Sequence, residues 1–203
     1  MLPCRTCALI SVLSAAAAGA FAAGSKPPNA PVTIVLKFEG SYSARSLDEM
    51  KREFARATKD SVPVEWRMRD QMPADAAGDL VLFTFKGRCV LETVPPPLYD
   101  ETGPLAWTST VDGAPLPFGQ VSCDQVRTLV WKAMWGGDFS HGDQLFGRAL
   151  GRVLAHEFYH MRAKTTSHAS TGVAKPALSG AQLISETLAV DDESLERMDR
   201  DRR

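Results

Sequence analysis

The chain has 203 residues, 44% of them hydrophobic, with 23 basic and 24 acidic side chains and a formal net charge of −1. That is enough apolar material for one good core and little for two. The near-neutral balance gives no electrostatic case for nucleic acid or an anionic membrane surface, and past the N-terminus no apolar run reaches the roughly 20 residues of a transmembrane helix.

The N-terminus reads as a secretion signal covering residues 1–23. Arg5 supplies the positive charge, Ala8 to Ala23 form a short alanine-rich run, and small residues precede Gly24 as a cleavage point. The expected location is secreted or periplasmic, with no stable membrane association after cleavage. Cys4 and Cys7 leave with the signal, so the mature chain keeps Cys89 and Cys123. In an oxidising compartment these two are a candidate disulfide worth roughly 3 kcal/mol, with two buried free thiols as the alternative.

Residues 24–31 form a flexible leader, and a single domain is expected over 32–203. Val32 to Phe38 is rich in β-branched residues and makes a first strand. Ser46 and Glu49 make a capping box, and Leu47, Met50, Phe54 and Ala57 follow at helical spacing, which predicts an amphipathic helix over 46–58. A second strand is expected over 62–68. Leu80 to Phe85 is a continuous apolar run, the pattern of a strand buried on both faces.

Past Cys89 the chain turns irregular around Pro95-Pro96-Pro97. Leu105 to Val111 and Phe118 to Cys123 flank Asp112-Gly113-Ala114-Pro115 and predict a hairpin. Ser122 with Gln125 opens a helix that Gly136-Gly137 ends. Ser140 and Asp143 are expected to cap a long helix from Gly142 to about Lys164. Along it Leu150, Leu154, Phe158 and Met161 form a core stripe, with Gly147 and Gly151 leaving room for a close neighbour. A final helix is expected from about Ser179 into the charged C-terminal end. Trp107, Trp131 and Trp135 read as packing residues.

All four histidines, His141, His156, His160 and His168, lie in one short window, and the middle two belong to His156-Glu157-Phe158-Tyr159-His160. Histidines four residues apart on a helix project from one side and can hold one metal ion, while the glutamate between them can act as general base. Burying His, Glu and His on this apolar helix without a metal would leave polar groups unsatisfied. A catalytic zinc takes three protein ligands and keeps one position open. For the third, His168 can return beneath the metal if the helix ends near Lys164; Glu186 is the rival, and Asp191 and His141 are further alternatives. His141 at the helix start is better explained by capping or exposure, and Tyr159 by core packing.

The motif H-E-x-x-H resembles that of the zincin metallopeptidases, and a following third histidine is most similar to their metzincin branch. The resemblance covers residues 142–172. It departs from the branch pattern H-E-x-x-H-x-x-G-x-x-H in having Ala163 at the glycine position, Thr166 at the histidine position and His168 two residues late. The segment Thr171 to Pro176 also lacks the branch's methionine. The resemblance implies an α+β, zincin-like fold, a small mixed sheet packed on helices including the long active-site helix. It implies Zn²⁺ on His156, His160 and His168, with Glu157 activating the attacking water. The activity implied is endopeptidase action on a peptide or protein substrate aligned along an edge strand, for which the hairpin of 105–123 is the candidate. Two alternatives stand beside it: a non-catalytic zinc-binding protein of the same fold, and an exported interaction module without metal.

Overall fold

A computed structural model describes residues 30–73, 76, 78–92, 103–134 and 139–200. The expected secretion signal, most of the expected leader, Pro95-Pro96-Pro97, Trp135 and the helix stop expected at Gly136-Gly137 lie outside the described residues. In chain order the elements are β1 (Val32–Phe38), α1 (Ala44–Ala57), β2 (Val64–Met68), β3 (Leu80–Lys86), β4 (Ala106–Val111), β5 (Ala114–Ser122), α2 (Cys123–Ala133), α3 (Gly142–Ala163), α4 (Gly180–Ile184) and α5 (Asp192–Arg200). The architecture is mixed α and β. Among the described residues no helix is long and apolar enough to cross a membrane.

The five strands form one sheet in the order β2-β1-β3-β5-β4, parallel except for β4, which runs antiparallel to β5 at one edge. Ile34 stands opposite Trp66 and Val81, and Leu36 opposite Phe83. Those side chains share the face on which α1 and α3 pack, where Phe54 of α1 meets both Trp66 and Phe158 of α3 edge-on. On the other face Leu80, Leu82 and Thr84 stay half-buried. The expectation that β3 is covered on both faces is therefore corrected. An apolar run reports hydrophobicity but not how many layers the tertiary structure supplies.

The long helix runs as expected, and its stripe of Leu150, Leu154, Phe158 and Met161 is buried. The close neighbour at Gly147 and Gly151 is α1. A Cβ at Gly147 would sit 2.4 Å from the Ser46 carbonyl oxygen, and one at Gly151 2.6 Å from that of Met50. Beside this crossing Arg152 of α3 is wholly buried and pairs with the equally buried Glu53 of α1 at 2.6 Å. Arg56 reaches the second oxygen of the same carboxylate.

Four local expectations are corrected. The cap of α1 is Ser43, whose side chain accepts from the Ser46 amide, while Ser46 itself is buried and donates to Asp143. The residue before α3 is His141, with no capping side chain, because Asp143 is occupied by Ser43 and Ser46. The hairpin is tighter than expected: only Asp112 and Gly113 turn, both at positive φ, as a two-residue turn of this hand requires, and β5 begins at Ala114. The predicted final helix is two helices. Its first part is capped by Ser179 and Gln182 as a reciprocal box, then stops at Ser185. There the carbonyls of Gln182, Ile184 and Ser185 accept from Arg152 and Arg148 of α3 in place of the amides of a continuing helix.

Cys89 and Cys123 form the expected disulfide, linking the end of β3 to the start of α2.

Candidate metal centre

The C-terminal half of α3 brings His156 and His160 to one side of the helix, one turn apart. The helix breaks at Lys164, which adopts the left-handed conformation with φ 45°. That break falls one residue past Ala163, and the chain reverses so that the next residues run back beneath the helix. His168 returns to within 5.2 Å of the His156 ring and 4.7 Å of the His160 ring. One ligand atom from each of the three histidines lies within 4.8 Å of the others. This arrangement can hold a metal ion.

Each helical histidine is oriented by a backbone carbonyl. His156 Nδ1 lies 2.8 Å from the Val173 oxygen, and His160 Nδ1 lies 2.7 Å from the Thr165 oxygen. A carbonyl only accepts, so in each ring the proton sits on Nδ1 and the lone pair on Nε2. The two Nε2 atoms face each other at 3.1 Å. Two lone pairs at that distance repel unless a cation lies between them, so the donor set fits a metal. Burial also pushes both imidazoles below the ordinary histidine range, with His168 adding to the effect, and this keeps them neutral as ligands must be. A tetrahedral zinc with bonds of about 2.0–2.1 Å places its nitrogens about 3.3 Å apart. His168 is the exposed member of the three.

Glu157 lies between the two ligands in sequence and is 5% exposed. Thr108 of the edge strand β4 donates from Oγ1 to Glu157 Oε2 at 2.7 Å. Burial raises the carboxyl above its ordinary range, and the Thr108 hydrogen bond opposes that rise. Beside His156 and Glu157 opens a cavity of about 290 Å³, walled by Leu105, Leu129, Val153, Pro176 and Leu178.

The other residues weighed from the sequence lie elsewhere. His141 is exposed, at the opposite end of α3. Glu186 is exposed and lines a separate cavity with Arg56. The Asp191 carboxylate caps α5 by accepting from the amide and hydroxyl of Ser194. Tyr159 is fully buried, as expected of a packing residue.

Three contributors escaped the sequence reading: Thr108, Val173 and Thr165. Val173 and Thr165 act through their carbonyls, which every residue type carries, so no side-chain pattern marks them. Thr108 comes from a strand 49 residues before Glu157. The only signal available for it was the expectation that the 105–123 hairpin lies over the site. Comparison with family models and with curated proteins finds no match for this chain.

Proposed function

We propose that the chain is an exported zinc-dependent endopeptidase of zincin-like fold. The observation that carries this reading is the convergence of three imidazoles with Glu157, whose carboxylate is held by a hydroxyl of the neighbouring edge strand. A structural metal site needs no such buried carboxylate, so Glu157 favours chemistry over a purely structural role.

His156, His160 and His168 would hold the zinc. A bound zinc supplies a Lewis acid that acidifies a water and polarises the scissile carbonyl. Glu157 takes the proton of the attacking water and delivers it to the leaving amine nitrogen as the carbon–nitrogen bond breaks. The water oxygen ends in the new carboxylate. Burial suits Glu157 to both halves of this cycle, because a raised pKa makes it a better proton acceptor and a competent donor.

Strand β4 pairs only with β5 among the described residues, so its outer edge offers free amides and carbonyls to an extended peptide. Thr108 lies on this strand and holds Glu157, which supports substrate binding along the edge.

The test is metal analysis followed by hydrolysis of a broad peptide library. One zinc per chain is expected, with Glu157→Gln retaining the metal and cleaving nothing. Protein purified in zinc-containing buffer without bound zinc sinks the reading. Identical cleavage by wild type and Glu157→Gln sinks the catalytic role.

A further inference from the structure

Lys175 lies on the wall of the cavity that opens beside His156 and Glu157. Its Nζ donates to Gln182 Oε1 at 2.8 Å. That acceptor is neutral, and among the described residues no carboxylate lies within ion-pairing distance of Lys175. The position is built rather than loose. Gln182 Oε1 also accepts from the Ser179 amide at 3.0 Å and the Ser179 hydroxyl at 3.2 Å, and the Gln182 carbonyl accepts from buried Arg152. Behind Lys175, Val173 and Ala174 are completely buried.

The remaining wall is mainly apolar, from Leu105, Leu129, Val153, Pro176 and Leu178. The ammonium of a lysine on such a wall keeps donors to spare and, among the described residues, has no carboxylate partner.

We propose that this cavity binds a substrate residue adjoining the scissile bond through its carboxylate, with Lys175 Nζ as the anchor and the apolar walls around the methylene stem. The inference rests on the peptidase reading and adds a substrate class to it. The carboxylate can come from an acidic side chain or from the end of the peptide chain. The shared chemistry is an anion at the tip of an apolar stem.

The experiment separates the two readings by measuring binding and hydrolysis on zinc-loaded full-length protein. Three labelled peptides of one sequence are compared: amidated with glutamate at the tested position, amidated with glutamine there, and glutamine-containing with a free terminal carboxylate. Binding is read by fluorescence anisotropy on Glu157→Gln, and cleavage on the parent chain. A carboxylate peptide is expected to bind about tenfold tighter than the neutral one, the scale of a charge-assisted hydrogen bond. Whichever carboxylate peptide gains identifies the source. Lys175→Met should abolish the difference without weakening the neutral peptide, Lys175→Arg should preserve it, and Lys175→Glu should reverse it in favour of the neutral peptide. A ratio of either carboxylate peptide to the neutral peptide that is unchanged in Lys175→Met and Lys175→Glu overturns the proposal, while cleavage by the parent leaves the peptidase reading intact. Binding ratios that follow Lys175 with no cleavage of any peptide overturn the peptidase reading alone. No binding of any peptide to any variant overturns both.

Discussion

Thr108 Oγ1 donates to Glu157 Oε2 at 2.7 Å, joining the edge strand of the sheet to the glutamate of the histidine helix. The same hydroxyl lies 3.3 Å from the Glu157 carbonyl oxygen, so the contact holds strand and helix together as well as aiming the carboxylate. The hydrogen bond favours the ionised carboxylate and opposes the upward push of burial. Removing it should raise the pKa of Glu157. Thr108→Val is expected to lower kcat/KM by about tenfold or more and to move the acid limb of its pH profile upward. Thr108→Ser should restore both. A profile that keeps its position in Thr108→Val would show that Thr108 merely packs.

His168 and His141 differ in reach. His141 lies about 22 Å from His156 along the helix axis, at 1.5 Å per residue, whereas His168 lies against both ligand rings. His168→Ala should weaken zinc binding by at least about tenfold, the scale of losing a supporting group at a metal. His141→Ala should leave it unchanged. Competition against a chelator of known affinity measures both, and equal effects would remove His168 from the ligand set.

The metal-free protein should respond to pH in two opposite ways. Burial holds His156 and His160 below the ordinary histidine range, so the unfolded chain takes up their protons first. Stability is then full above the unfolded histidine value of about 6.5 and is lost as pH falls below it. Burial raises Glu157, so the folded chain keeps that proton longer, and stability falls as pH rises from the ordinary carboxylate range through the folded value. Glu157→Gln should therefore raise the melting temperature of the metal-free protein at pH 7 above that of the parent. The gain should vanish near pH 4. Thermal melts in the presence of chelator at the two pH values check the sign.

Arg152 is wholly buried, and its guanidinium serves Glu53, the Gln182 and Ser185 carbonyls and the Ser185 hydroxyl. Arg152→Met leaves Glu53 buried with only Arg56 as partner, and takes one donor each from the Gln182 and Ser185 carbonyls. A loss of about 3–5 kcal/mol is expected, the cost of breaking a buried pair from one side. Urea unfolding measures it. The Glu53→Gln, Arg152→Met double variant should recover part of the loss.

The disulfide joins Cys89 to Cys123 across 34 positions of sequence. Cys89→Ala with Cys123→Ala should cost about 2–5 kcal/mol in unfolding free energy. Both side chains sit in the core, so zinc stoichiometry at low temperature should survive the change. A double variant as stable as the parent would mean that the bridge contributes nothing to the fold.

The features legible from the sequence were those carried by spacing along a single element. The long helix was marked by its apolar stripe, and the two histidines and Glu157 by their one-turn repeat. The hairpin was marked by Asp112-Gly113, and the first and third strands by branched and apolar runs. His168 was reachable because α3 ends at Ala163, only five residues before it. Glu186 could be weighed against it but not rejected, since the rejection depends on where α4 stops.

That stop, and much of the site, belong to the tertiary structure. The predicted final helix ends early because Arg148 and Arg152, on another helix, occupy its carbonyls. Ser43 rather than Ser46 caps α1 because Ser46 is turned inward to Asp143 at the crossing with α3. The tautomers of His156 and His160 are set by the carbonyls of Val173 and Thr165, which no side-chain pattern can announce. Thr108 reaches Glu157 only because the sheet places β4 at the edge over α3. Spacing along one helix was enough to mark His156, Glu157 and His160 as a candidate site, because a single turn aligns them. Their orientation, burial and neighbours were set by folding, because each of those properties comes from a segment outside that turn.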